Sequence, residues 1–243
     1  MLPKKKSKNK AVLNLVICLI LLVSSALIFI FRQRIIDQVS IWQFTPSSEV
    51  VDLVGRLDLS AEGKFIFFAS QPELESAIDF NKSCSRIENT TSILGCFNDS
   101  RIYIYNVTDE KIDGIREVTA AHEMLHAVYQ RLSSGDKSKI NDLLENEYKK
   151  LANDTAFVDL IAFYEKTEPG ERYNELFSVI GTTVANLDSA LESYYDKYFS
   201  DRQSVVNYNS KYNGVFKELY DQAATLAITL NALGETIPTD SAK

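Results

Sequence analysis

The hydrophobic pattern opens with twenty uncharged residues, Val12 to Phe31, interrupted only by Asn14, Ser24 and Ser25. A helix of that length spans the hydrocarbon core of a bilayer. Lys4, Lys5, Lys6, Lys8 and Lys10 precede the run and only Arg32 and Arg34 follow it closely. This basic excess predicts a cell-membrane protein with a cytoplasmic N-terminus and an extracytoplasmic remainder. A cleaved signal peptide is the competing reading. Its apolar region usually covers about 7 to 15 residues and ends at a small-residue site. Here the run continues through Leu27-Ile28-Phe29-Ile30-Phe31, which favours an uncleaved single-pass anchor.

Residues 1–11 then form a basic tail, 12–31 the anchor and 32–62 a juxtamembrane connection containing one short helix, with Pro46-Ser47-Ser48 as a break. Lys64 to Ala69, bounded by Gly63 and by Gln71-Pro72, reads as a strand. Arg101 to Val107, rich in β-branched and aromatic residues, reads as a second strand that could pair with the first. From Asp113 onward the apolar spacing becomes helical. Ile115, Val118, Ala121, Leu125, Val128 and Leu132 recur between a start at Asp113-Gly114 and a stop at Leu132-Ser133-Ser134-Gly135. Further helical stretches follow at Ile140 to Leu151, Ala156 to Tyr164 and Gly170 to Leu187. The expected class is α+β, a small antiparallel sheet followed by a mostly helical portion, within a domain covering 63–187.

Residues 188–234 carry a seven-residue repeat: Leu191, Tyr198, Val205, Tyr212, Leu219, Leu226 and Leu233, with Leu187, Tyr194, Tyr208 and Val215 on a second seam. A long helix is predicted, either folded back on the domain or paired in an intermolecular coil, because Asp201, Gln222 and Thr229 interrupt the second seam. An oligomer through this helix is one outcome of that choice. Residues 235–243, with Pro238 and no periodicity, read as a structureless end.

Charge and cysteine usage sharpen the picture. The net charge of −7 includes the lysines of the tail, so the exported part is more acidic still, which argues against nucleic acid as a partner. Cys18 lies in the anchor. Cys84 and Cys96 remain as a pair in the exported part, expected to form a disulfide in an oxidising compartment; two reduced buried thiols are the competing reading. Asn-x-Ser/Thr sequons occur at Asn81, Asn89, Asn98, Asn106 and Asn153.

The chemistry concentrates in His122-Glu123-Met124-Leu125-His126, which holds both histidines of the chain. On a helix, positions i and i+4 return to nearly the same face, so both imidazoles can reach one zinc ion. Glu123 points about 100° around the helix from His122 and can take a proton from a metal-activated water. Small Ala120, Ala121 and Ala127 leave room for a metal and a close-packed partner. A catalytic zinc usually has three protein ligands. With no third histidine, the third ligand is expected to be a carboxylate, and Glu171-Arg172-Tyr173-Asn174-Glu175-Leu176-Phe177-Ser178 is the candidate stretch. Glu171 and Glu175 share one helical face, so spacing alone does not separate them. Glu175 lies among apolar residues, where an unpaired carboxylate is costly, whereas Glu171 suits an exposed helix start.

With these residues the chain resembles the gluzincins, thermolysin-like metallopeptidases that carry His-Glu-x-x-His on one helix and a glutamate ligand on a later one. Asn174-Glu175 with Ser178 is similar to the segment that supplies that glutamate. The resemblance covers Arg101 to Ser134 and Glu171 to Gly181. It implies a zincin-like fold, one zinc per chain on His122, His126 and Glu175, and Glu123 as the catalytic base. It further implies a substrate laid along a strand edge beside the active-site helix, for which Ile102 to Tyr105 is the candidate. Two features depart from the pattern: the 48 residues between His126 and Glu175 exceed the interval in thermolysin, and Val179 stands where an aspartate orients the first histidine. Asp188 or a backbone carbonyl is the candidate for that orienting role. Tyr164, Arg172 and Tyr173 are candidates for stabilising the transition state. The expectation is a membrane-anchored zinc metallopeptidase acting on protein or peptide substrates. The rival is an envelope-anchored structural or interaction protein with a non-catalytic zinc site and a helical partner-binding arm.

Overall fold

The computed structural model describes residues 6–84 and 94–240 and is mostly helical, with one three-stranded sheet. Helix α1 (Lys6–Ile30) contains a stretch, Lys10–Ile30, long and apolar enough to cross a membrane. Phe31 separates it from α2 (Arg32–Gln43). Helices α3 (Ser48–Arg56) and α4 (Ala61–Ala69) each start at a serine whose hydroxyl accepts a backbone N–H, Ser47 from Val50 and Ser60 from Gly63. These caps satisfy donors that have no partner inside the helix.

The sheet is mixed, in the order β1-β3-β2. Strands β2 (Gly95–Asn98) and β3 (Arg101–Tyr105) form an antiparallel hairpin through Asp99 and Ser100, whose positive φ values of 49° and 64° suit a two-residue hairpin turn. Strand β1 (Glu73–Glu75) runs parallel to β3 on its other side. Along β3 the side chains alternate, with Ile102 and Ile104 buried and their neighbours half-buried. Helix α5 (Ala77–Ser83) ends beside Cys84, whose disulfide to Cys96 ties it to β2. Closing a loop of that size stabilises by about 3 kcal/mol through the unfolded chain.

Helix α6 (Ile115–Arg131) runs through the core, with Ala120, Ala121, Met124, Leu125 and Ala127 fully buried. After α7 (Ser134–Lys150) and α8 (Thr155–Thr167), helix α9 (Arg172–Thr183) is its main packing partner. A Cβ at Gly181 would lie 2.5 Å from Leu125 Cδ1 and 2.7 Å from Tyr195 Cε1, so this approach of α9 to α6 requires glycine. Helix α10 (Ser189–Tyr195) follows, and α11 (Arg202–Asp240) buries Val205 and Val206 against the domain before its later side chains, from Leu219 to Leu230, become exposed.

Several expectations are corrected. Lys64 to Ala69 is not a strand but the body of α4, so it cannot pair with Arg101 to Val107, and the sheet is not purely antiparallel. The run has six residues with no resolvable period, and it is buried on several sides as a helix as readily as it would be in a sheet. Residues 32–62 contain α2, α3 and the start of α4, not one short helix. The seven-residue repeat does not lie on one helix: Leu191 belongs to α10 and Tyr198 to the turn before α11, and both are buried in the domain. Residues 235–240, expected to lack structure, continue α11. Lys4, Lys5, the Asn89 sequon and residues 241–243 lie outside the described residues.

Candidate metal centre

The i, i+4 spacing on α6 places the Nε2 atoms of His122 and His126 3.0 Å apart. From α9, Glu175 brings one carboxylate oxygen to 3.7 Å from His122 Nε2 and the other to 3.4 Å from His126 Nε2. The three donor atoms lie within 4.8 Å of one another. Glu175 is only 2% exposed, and its buried Oε2 accepts no hydrogen bond. A buried carboxylate with unfilled lone pairs is costly unless a cation neutralises it. Two imidazoles and a carboxylate therefore fit a metal ion that accepts nitrogen and oxygen donors. Glu171 does not join this group.

Glu171 instead acts on the group from outside. It is exposed at the start of α9 and accepts a hydrogen bond from Asn174 Nδ2 at 3.0 Å. That bond turns Asn174 Oδ1 toward His126 Nδ1, 2.9 Å away. Since Oδ1 only accepts, His126 Nδ1 must carry the hydrogen, which leaves the Nε2 lone pair free for a metal. Ser178 Oγ also reaches Nδ1 at 3.2 Å. The carboxylate of Asp188 pairs with Lys150 and orients neither histidine. Arg172 forms ion pairs with Glu145 and Glu165, which binds α9 to α7 and α8 and leaves it off the pocket wall.

Burial and charge set the protonation of the cluster. Burial, opposed by His122 and helped by the Glu175 and Glu168 carboxylates, pushes the Glu123 carboxyl up to about 8. Burial also opposes a charged His122, but the facing Glu175 carboxylate, with Glu123 and Glu168 nearby, outweighs burial and raises its pKa. Burial holds His126 below the usual imidazole value. Burial disfavours ionised Glu175, yet His126 and His122 prevail and keep its pKa low.

These groups line a pocket of about 730 Å³, together with Tyr164, Glu168 and Tyr212. The Tyr164 ring stacks on His122, with centroids 6.3 Å apart, and burial pushes its hydroxyl pKa up, so it stays protonated. The strand on the pocket wall is β2, not the expected Ile102 to Tyr105, which is the centre of the sheet. The bond from Tyr105 N–H to Leu94 C=O fixes the hairpin phase, so the backbone groups of Gly95 and Phe97 point away from β3 to an edge that no strand covers among the described residues. Gly95 is packed against Glu123: a Cβ there would lie 2.6 Å from Glu123 Oε1 and 2.5 Å from Thr119 Cγ2. The sequence reading missed Gly95, Glu168 and Tyr212. A glycine directly before a strand cysteine was the available signal for the first.

Gly95→Ala is expected to displace the Glu123 carboxylate and the strand together. Overpacking of this kind typically costs about 1–3 kcal/mol of stability. Thermal unfolding should report that loss, while metal content stays at the parent level because the atoms nearest the new methyl group belong to Thr119 and Glu123, outside the three donor residues.

Comparison of the chain with protein-family models, curated proteins and solved structures found no match.

Proposed function

We propose that this protein is a membrane-anchored zinc metallopeptidase of gluzincin type. The observation that carries the reading is the convergence of His122, His126 and Glu175 on one point, with the buried Glu123 on the wall of the same open pocket. A zinc ion held by these three residues supplies an electrophile for the scissile carbonyl and lowers the pKa of water. The protein's own groups do the rest. The outward backbone groups of Gly95 and Phe97 hold an extended peptide by main-chain hydrogen bonds. Glu123 accepts the proton of the attacking water at a carboxylate oxygen and delivers it to the leaving amine nitrogen. The protonated Tyr164 hydroxyl donates toward the carbonyl oxygen as negative charge develops there. Asn174 and Glu171 hold His126 in one tautomer throughout. The lysine excess before α1 sets the domain outside the cytoplasm, and the Cys84–Cys96 disulfide agrees with an oxidising compartment.

The rival reading, an interaction protein with a structural zinc, draws support from the exposed Leu219, Leu226 and Leu230 on α11. Activity separates the two. The full-length protein in detergent should cleave a mixed peptide library, lose cleavage on chelation and regain it with zinc. Zinc-loaded protein that cleaves nothing, or cleavage that survives complete chelation, contradicts the peptidase reading.

The raised pKa of His122 gives a signed pH dependence. In the metal-free protein the raised pKa makes His122 hold its proton to higher pH than an ordinary imidazole, and a metal must displace it. Zinc affinity should therefore rise with pH, about tenfold per pH unit for each proton displaced, and level off above the pKa of His122. Chelator competition across a pH series reads this directly; an affinity that shows no rise with pH contradicts the expectation.

A further inference from the structure

Helix α2 is amphipathic in the inverted sense. Its acidic side chain, Asp37, is only 4% exposed and faces the domain, where it accepts hydrogen bonds from Arg131 Nη2 at 2.8 Å and from Gln33 Nε2 at 3.1 Å. Arg34, exposed beside that face, pairs with Glu62 of α4 and lies over the Phe65 ring at 3.6 Å. The outward side carries four exposed apolar residues, Ile35, Ile36, Val39 and Trp42, the last 76% exposed, with the polar Arg32 and Gln43 at the two ends of the same face. At about 100° per residue these four fall within an arc of roughly 120°. A helix facing water is expected to show the reverse arrangement.

We propose that the outward face of α2 is seated in the membrane interface, so that the helix lies along the lipid surface and carries the metal centre beside it. The occupant follows from position. Only Phe31 separates α2 from the end of the apolar stretch Lys10–Ile30, so the lipid that surrounds α1 is the first apolar medium this face meets. Phe31 departs from helical dihedrals, with φ −95° and ψ 7°. The helical bonds from Phe31 N–H to Leu27 C=O and from Ile35 N–H to Phe31 C=O persist, so it is a point at which the continuous chain can bend from the membrane normal. Arg32 at the near end of α2 suits phosphate headgroups, and tryptophan is the residue enriched at that depth. The buried Asp37–Arg131 pair then fixes α6 to the lipid-seated helix. His126 stands five residues before Arg131, about 7.5 Å along the helix axis. The seating of α2 depends on the reading of α1 as a membrane span and not on catalysis. On the peptidase reading, it directs the pocket toward protein segments that emerge from the same bilayer.

Trp42 is the one tryptophan of the chain, which makes the test direct. The full-length protein is reconstituted into phosphatidylcholine vesicles whose acyl chains carry bromine near the headgroup, near the chain end, or not at all. A seated α2 loses most of its Trp42 emission to the shallow bromines, less to the deep ones, and little to aqueous iodide. A helix standing along the normal would put Trp42 about 16 Å beyond Phe31, out of reach of both bromine positions. Emission indifferent to bromine overturns the proposal: if iodide quenches it the face is in water, and if iodide does not, a protein surface such as a second copy covers it. Ile35→Asn with Val39→Asn alters only outward positions and should restore iodide access while thermal unfolding is unchanged. Continued shallow-bromine quenching in that double variant would show that α1 alone holds Trp42 at the surface, which also overturns the proposal. None of these readouts needs metal or hydrolysis, so their failure is distinct from failure of the peptidase reading.

Discussion

Glu123→Gln is expected to keep zinc at the parent stoichiometry and to lower peptide hydrolysis by about 10²–10⁴-fold, the range for loss of a positioned acid–base group. Glutamine fills the same space beside Gly95 and Thr119, so the pocket keeps its shape. What it loses is a basic oxygen that can hold a proton between the attacking water and the leaving amine. Glu123 donates nothing to the metal group, which consists of His122, His126 and Glu175. Turnover comparable to the parent would remove Glu123 from the mechanism. Loss of zinc in a folded Glu123→Gln protein would make it part of the metal site instead.

Glu175→Ala is expected to lose most zinc affinity and all hydrolysis, whereas Glu171→Ala keeps stoichiometric zinc. Among the described residues, Glu175 is the carboxylate that faces both imidazoles, at 3.4 and 3.7 Å. Glu171 lines the pocket and reaches His126 by a hydrogen bond through Asn174, and removing such outer partners typically costs about 10–100-fold in affinity or activity. Saturating zinc should therefore fill the Glu171→Ala site, and chelator competition should show the weakening. Circular dichroism controls for an empty site caused by misfolding. A folded Glu175→Ala protein that binds zinc as tightly as the parent would overturn the ligand assignment.

Helix α6, which carries both histidines, was legible in the sequence because Ile115, Val118, Ala121, Leu125, Val128 and Leu132 keep a helical period for its whole length. Its ends coincide with a glycine and a serine-rich stop. Strand β3 was legible for the matching reason: its alternation survives as buried Ile102 and Ile104 between less buried neighbours. Helix α4 was not. Phe65, Ile66, Phe67 and Phe68 are apolar in succession, so they carry no period, and the deciding signal was Ser60 two residues ahead of Glu62, a cap that the apolar run obscured. The repeat from Leu191 to Leu233 concealed the break between α10 and α11 because core positions continue through the turn at Tyr198 and Phe199.

Within the site, the donor residues were readable and their outer partners were not. His122, Glu123 and His126 follow from spacing on a single helix. Glu175 followed from its apolar neighbours and the resemblance, and the structure adds the packing of α9 on α6, where Gly181 closely approaches Leu125. The division of labour between Glu171 and Glu175 depends on which way the Asn174 amide faces, a rotation that sequence does not encode. The pocket strand was misassigned because Gly95 to Asn98 is short and has only one strongly apolar side chain, while β3 has the stronger strand composition and sits in the centre of the sheet.

The central claim is an open catalytic zinc held by three residues. X-ray absorption at the zinc edge of the loaded full-length protein measures that shell. The result predicted is two imidazole nitrogens and carboxylate oxygen from the protein, with a remaining oxygen that an added hydroxamate displaces. A shell closed by four protein ligands and unchanged by the hydroxamate, or one that keeps both imidazoles and its carboxylate in Glu175→Ala, would contradict the account.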